Sequence, residues 1–123
     1  MELSIDIRWL LERQADVLPK HPHVHDFSSL VAAVARQRVN TPRVGAVVDN
    51  AWRAAALLDT IVRLRPLPAR NALYGAALVA AYMDAAGEGI DAPYGALIDL
   101  CRDLDTRRAD AYDAADRIRS WRI

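Results

Sequence analysis

Residues 52–89 read WRAAALLDTIVRLRPLPARNALYGAALVAAYMDAAGEG, which is two alanine-rich apolar runs on either side of RPLPARN. The apolar positions of the first run recur at the spacing of one helix face, and they are Trp52, Ala55, Leu58 and Val62. Asn50 precedes this run and is a residue type that favours the N-cap position. The second run stops at Gly87 and Gly89, and glycine commonly ends a helix. We therefore predict two helices joined by a turn that contains prolines.

The second run, from Asn71 to about Ala86, is rich in alanine, with alanines at positions 72, 76, 77, 80, 81, 85 and 86. Alanine side chains are too small to fill space, so neighbouring helices can approach such a helix closely. We therefore predict that this run forms the central and most buried helix of the fold.

Four other segments show helical spacing, and their approximate ranges are 7–18, 27–38, 93–104 and 107–121. Ser4 or Asp6 is the expected N-cap of the first segment, and Asp26 is that of the second. With the two helices above, the sequence predicts six helices in one all-α domain that spans residues 1–123, without an internal repeat.

Composition and charge exclude several classes of protein. The formal net charge is zero, which argues against direct nucleic-acid binding as the main activity. No apolar run approaches the ~18 residues that span a membrane, and the N-terminal MELSIDIRWLLERQ is too charged for a signal peptide. The expected compartment is the cytoplasm. Cys101 is the only cysteine, so we predict a buried structural thiol and no disulfide or thiolate metal site.

The stretch HPHVHD carries the three histidines of the chain, His21, His23 and His25. In an extended segment these alternate residues would point the same way and could converge on zinc or nickel. The alternative is a solvated loop that delivers Asp26 to the start of the next helix. We expect the loop and no metal.

RPLPARN itself has two interpretations. In the first it is a stiffened turn, in which Asn71 caps the following helix while Arg65 and Arg70 are exposed. In the second it is an anion site, because the N–H groups of a helix N-terminus and arginine guanidinium groups both favour phosphate or carboxylate.

At residues 52–89 the chain resembles the core of the Fic/Doc family. The shared pattern is a helix with an aliphatic end, a short proline-containing loop, an asparagine at the start of a second helix, and an alanine-rich helix that stops at glycine. The upstream IDIRWLLERQ and SSLVAAVARQR are similar to a small actinobacterial group described as Fic-family toxins of toxin–antitoxin systems. The resemblance implies a compact six-helix Fic/Doc-like bundle with a central alanine-rich helix.

The loop motif of that family reads H-x-F-x-(D/E)-G-N-(G/K)-(R/K). In the family the histidine takes a proton from the target hydroxyl, the acidic residue holds Mg²⁺ on the nucleotide phosphates, and the remaining positions hold phosphate oxygens. Arg65 falls at the histidine, Ala69 at the acidic residue and Arg70 at the glycine. Asn71 alone matches. The other motif positions fall on Leu67, Ala72 and Leu73.

These departures remove the transfer chemistry that the resemblance implies. Arg65 cannot act as a general base, because a guanidinium keeps its proton up to a pH of about 12 or more. Ala69 offers no oxygen to Mg²⁺. We therefore predict a toxin component with a degenerate motif and no cofactor, which acts by binding its cognate antitoxin or a cellular protein target.

Two alternatives remain open. A divergent but active transferase or kinase toxin would bind ATP or another nucleotide with Mg²⁺ at Arg65, Arg70 and Asn71, and would take its base from the three histidines. A non-catalytic helical interaction domain would keep the fold without the toxin role.

The segment RVGAVV is the most β-prone part of the chain. In the family the corresponding region is a flap that docks the target as an added strand. On this resemblance the docking residues are Arg43, Val44, Gly45, Ala46 and Val47. The alternative is an ordinary loop between two helices.

Overall fold

The computed structural model describes residues 5–17, 24, 26–38 and 48–123 of the 123-residue chain. Six helices lie in these ranges: α1 Ile7–Val17, α2 Phe27–Gln37, α3 Asn50–Leu64, α4 Asn71–Ala85, α5 Ala96–Asp105 and α6 Ala111–Ser120. The described part of the chain contains no strand beyond an isolated antiparallel bridge between Ile90 and Arg122. The predicted all-α fold with six helices is confirmed. None of the described helices has the length and apolar character needed to cross a membrane.

The central helix of the bundle is α3, which packs against α2, α4, α5 and α6. Twelve of its fifteen residues are buried, whereas seven of the fifteen residues of α4 are buried. The central helix is alanine-rich, but the prediction that it is α4 is wrong. Burial depends on how many neighbours surround a helix, and an exposed alanine such as Ala80 suits a helix surface equally well.

An aspartate side chain caps each of the four described helices for which a side-chain cap is seen, α1, α2, α3 and α6. The Asp26 side chain accepts from the Ser29 N–H of α2 at 3.3 Å, as predicted. The predicted cap Asn50 is instead the first helical residue of α3. Asp49 beside it has an extended backbone, and its carboxylate accepts from the Trp52 N–H at 2.9 Å. The Asp49 carboxylate is therefore the N-cap of α3, the role that the sequence suggested for the Asn50 side chain.

Helix α5 begins later than the sequence suggests. Gly95, with φ +79°, is its N-cap, so residues 93 and 94 stand before the first turn. For α1, the Trp9 N–H donates to the Asp6 carboxylate at 2.9 Å, which agrees with the expectation that Asp6 or Ser4 caps this helix. Ser4 lies outside the described residues.

Asp49 also ties the start of α3 to the end of α6. Its two carboxylate oxygens accept from Arg119 Nε at 2.8 Å and from a terminal Arg119 nitrogen at 2.9 Å. Partial burial alone would raise the pKa of Asp49, but the hydrogen bonds from Arg119 and the Trp52 N–H and the charges of Arg119 and Arg122 together hold that pKa below its ordinary value of 3.8.

The lowered pKa of Asp49 predicts a pH-dependent contribution to stability. This pKa is lower in the folded chain than in the unfolded chain. The ionised Asp49 carboxylate therefore stabilises the fold fully above about pH 4, and this stabilisation is lost as the pH falls through the folded-state pKa. Asp49→Asn keeps an N-cap side chain and removes the charge. We expect the stability difference between wild type and this variant, measured by urea unfolding, to be largest near neutral pH and to shrink in acid. A difference that does not change with pH would contradict this assignment.

Candidate functional site

The loop between α3 and α4 begins and ends with an arginine in the left-handed region of backbone conformation. Arg65 has φ 51° and ψ 66° and is the C-cap of α3, and Arg70 has φ 63° and ψ 29° and precedes α4. Residues other than glycine adopt this region uncommonly because of steric crowding at Cβ. Glycine adopts this conformation readily, and at Arg70 a side chain is carried on a backbone that favours glycine.

Asn71 fixes the interior of this loop. Its amide nitrogen donates to the Leu67 carbonyl at 2.9 Å, and its amide oxygen accepts from the Leu67 N–H at 3.0 Å. Leu67 is almost completely buried, so the same residue is anchored by packing and by two hydrogen bonds. The prediction that Asn71 caps α4 is wrong, because Arg70 is the N-cap and supplies no side-chain hydrogen bond. Asparagine carries both a donor and an acceptor, and here both are used by one loop residue.

Asn71→Ala is expected to lower the free energy of unfolding by about 1–2 kcal/mol, because it leaves the N–H and C=O of a buried loop residue without their partners. Urea unfolding measures this loss. Asn50→Ala is the matched control, since within the described part of the chain the Asn50 side chain makes one hydrogen bond, to Glu88 at 2.5 Å. We expect the control to cost less, and equal costs would contradict the role of Asn71 in the loop.

A pocket of about 490 Å³ opens between this loop and α5. The residues that line it are Val62, Arg65, Pro68, Ala69, Arg70, Asn71, Ala72, Ile98, Cys101, Arg102 and Asp105. The structure thus brings together at one pocket the three residues that the sequence suggested for an anion site, Arg65, Arg70 and Asn71.

The arginines at the pocket differ in what they contact. A terminal nitrogen of Arg65 lies 2.5 Å from an Asp105 carboxylate oxygen, in an ion pair whose side chains are 60% and 44% exposed. Arg102 lies 3.8 Å from Asp99 in an ion pair whose two side chains are largely exposed. Arg70 is exposed and makes no ion pair with any described residue. Arg70 and Arg102 are therefore the guanidinium groups at this pocket that a ligand can reach most readily.

The pocket lacks an evident nucleophile or base. Cys101 is buried, and its thiol lies 3.6 Å from the Ala72 carbonyl oxygen. Burial raises the pKa of this thiol to about 11, so it is uncharged at neutral pH and is a poor nucleophile. This burial agrees with the prediction that Cys101 is a buried structural thiol. Asp105 is the one carboxylate among the lining residues, and Arg65 already pairs with it.

The other predicted sites cannot be placed. His21, His23 and His25 lie outside the described residues, as do the flap residues 43–47. Their roles stay predictions. Among the described residues, no group of three or more histidine, cysteine or acidic side chains is arranged to hold a metal ion.

Sequence reasoning missed the contribution of α5 to the pocket. Ile98, Cys101, Arg102 and Asp105 follow one another at intervals of three, one and three residues, which places them on one helix face. That spacing was a usable signal. It could not indicate that this face lies against a loop about thirty residues earlier in the chain, because such packing is a long-range feature of the fold.

In comparisons with known proteins, no protein-family model matches this chain and no curated protein matches it. Family membership is therefore not shown by similarity. The Fic/Doc resemblance rests on the pattern of residues 52–89, and the function must be inferred from that pattern and from the geometry of the loop and the pocket.

Proposed function

We propose that this protein is the toxin component of a toxin–antitoxin module, and that its Arg65–Asn71 loop binds a partner protein instead of transferring a nucleotidyl or phosphoryl group. The toxin role comes from the resemblance to the Fic/Doc family. The absence of transfer activity in this proposal rests on two residues of the loop: at the histidine position Arg65 pairs with Asp105, and at the metal-ligand position Ala69 offers only a methyl group.

Both substitutions act on steps that family catalysis needs. A positioned general base contributes about 10²–10⁴ in rate, and a guanidinium held by a carboxylate cannot accept a proton. A bound Mg²⁺ contributes several kcal/mol more by neutralising phosphate charge, and it needs oxygen ligands that Ala69 does not supply. A loop that has lost both groups supports binding better than catalysis.

The loop nevertheless has a fixed shape, which supports a binding role. Leu67 is buried beneath it and Asn71 holds its backbone by two hydrogen bonds, so Arg65 and Arg70 are presented from a rigid support. Pre-formed loops lose less conformational entropy on binding. The cognate antitoxin is the first partner in this proposal and a cellular protein is the second, and both meet the protein in the cytoplasm.

A second candidate function is a divergent nucleotide-dependent transferase. The observation that favours it is that no side chain caps the first turn of α4, where Arg70 also lies without an ion pair among the described residues. A phosphate group would suit these N–H groups. Calorimetry with ATP and GTP, with and without Mg²⁺, tests this candidate, and the absence of binding heat would eliminate it.

Growth of a bacterial host that expresses the full chain tests the proposed function. We expect growth arrest, and we expect that co-expression of a cognate antitoxin from a neighbouring gene relieves it. Arg70→Ala and Asn71→Ala should reduce the arrest, whereas Arg8→Ala, on the exposed face of α1, should not. Circular dichroism of each purified variant shows whether it is folded.

The possible outcomes separate the proposals. Arrest that persists in folded Arg70→Ala and Asn71→Ala variants would show that the loop is not the toxic site. A folded wild-type chain that causes no arrest would favour the non-catalytic interaction domain over the toxin.

A further inference from the structure

The residues that line the pocket beside the loop carry an excess of positive charge, although two of the three arginines already pair with a carboxylate. Three arginines line it against a single carboxylate, Asp105, while the formal charge of the whole chain is zero. The side chains of Arg65 and Arg102 are 60% and 70% exposed, and Arg70 is exposed as well. The guanidinium groups come from three places, the end of α3, the start of α4 and the last turn of α5, so positive charge is spread along the pocket.

The rest of the pocket is aliphatic. Val62, Pro68, Ala69, Ala72 and Ile98 supply its apolar lining. Ile98 is 40% exposed although it is a large hydrophobic residue. None of the lining residues is aromatic, so the pocket offers no surface on which a nucleotide base could stack. An occupant that fits this lining carries aliphatic groups as well as negative charges.

We propose that this pocket receives an acidic linear peptide segment of the partner protein. This inference rests on the proposed function, in which the loop acts by binding a partner. Carboxylates of the segment pair with Arg70 and Arg102, and an aliphatic side chain of the segment covers Ile98 and Pro68. Arg65 keeps its pair with Asp105 and holds α5 against the loop.

Charge complementarity favours a peptide over a single phosphate group. Guanidinium groups bind carboxylates through paired hydrogen bonds, and a peptide places carboxylates at intervals that can match arginines on two different helices. The exposed pair between Arg102 and Asp99, at 3.8 Å, competes little with an incoming carboxylate.

Selection of peptides on the folded full-length chain tests the inference. The probe is a library of random short linear peptides displayed on phage, with inorganic phosphate and ATP as separate calorimetric arms. We expect the selected peptides to be enriched in glutamate or aspartate beside leucine, isoleucine or valine. For a synthetic peptide from that set, the double variant Arg70→Gln/Arg102→Gln should bind about tenfold more weakly, and the affinity should fall as salt is added.

Arg8→Gln is the matched control, because it removes a positive charge from α1, away from the pocket lining. It should leave the affinity unchanged. Three results would overturn the inference. The first is selection of neutral or basic peptides, and the second is an equal loss of affinity in Arg8→Gln. The third is binding of ATP or phosphate that depends on Arg70, without binding of acidic peptides.

The growth assay distinguishes failure of this inference from failure of the proposed function. Arrest that Arg70→Ala abolishes, with no enrichment of acidic peptides, overturns the peptide inference and leaves the proposed function standing. Enrichment of acidic peptides by a chain that causes no arrest supports the peptide inference and overturns the toxin role.

Discussion

Gly75→Leu is expected to lower the free energy of unfolding by about 3 kcal/mol, since overpacking a buried site typically costs ~1–3 kcal/mol and leucine adds a whole side chain. Gly75 lies on α4 where it faces α3. A Cβ atom built at this residue would lie 2.8 Å from Leu58 Cδ1, and two further α3 side chains, Ile61 and Val62, lie 3.7 Å away. Leu58 is fully buried, so it has little room to move aside.

The same substitution should also disturb the candidate site. The loop joins the end of α3 to the start of α4, so separating these helices changes the distance that residues 65–70 must span. Ala80→Leu is the matched control, because it places leucine on the exposed face of the same helix. Urea unfolding of both variants measures the difference. A cost below 1 kcal/mol for Gly75→Leu would contradict the close packing of α3 and α4.

Asp59→Asn is expected to cost about 2 kcal/mol. The Asp59 side chain is only 3% exposed, and its two oxygens accept from Arg36 of α2 at 2.5 Å and from Arg63 of α3 at 2.6 Å. Losing one partner of a buried ion pair costs ~3–5 kcal/mol, but both arginines are more than a third exposed and can be hydrated after the change. We therefore expect a loss below that range.

Asp84→Asn, at an exposed position near the end of α4, is the control for Asp59→Asn and should change stability by less than about 0.5 kcal/mol. Urea is the appropriate denaturant, because guanidinium chloride would screen the ion pairs. Equal effects of the two substitutions would show that the contacts of Asp59 with Arg36 and Arg63 do not stabilise the fold.

Local sequence features predicted the helices well. Apolar spacing and capping residues gave six helices in one all-α bundle, and the inward positions Trp52, Ala55, Leu58 and Val62 are all buried. These features act over a few residues, so they are visible in the sequence. The sequence did not show which helix is central, because this depends on which helices pack around α3, and amino-acid composition carries no information on that packing.

The candidate site was predictable only in part. The loop arginines and Asn71 were identified, but the direction of the Asn71 side chain was not, because an asparagine at the start of a helix can bond either to the helix or to the loop. Asp105 was missed, and it is the ion-pair partner of Arg65. Its approach to Arg65 depends on the packing of α5, forty residues further along the chain.

The most direct test of the central claim is to look for group transfer. The purified chain is incubated with a bacterial lysate, Mg²⁺ and ATP labelled at the α or the γ phosphate, and labelled protein is measured. We predict no more labelled protein than in a reaction without the chain. The same chain should still cause growth arrest when a bacterial host expresses it. Label that appears with the wild-type chain and disappears with Asn71→Ala would contradict the account, because it would show that the loop transfers a nucleotidyl or phosphoryl group.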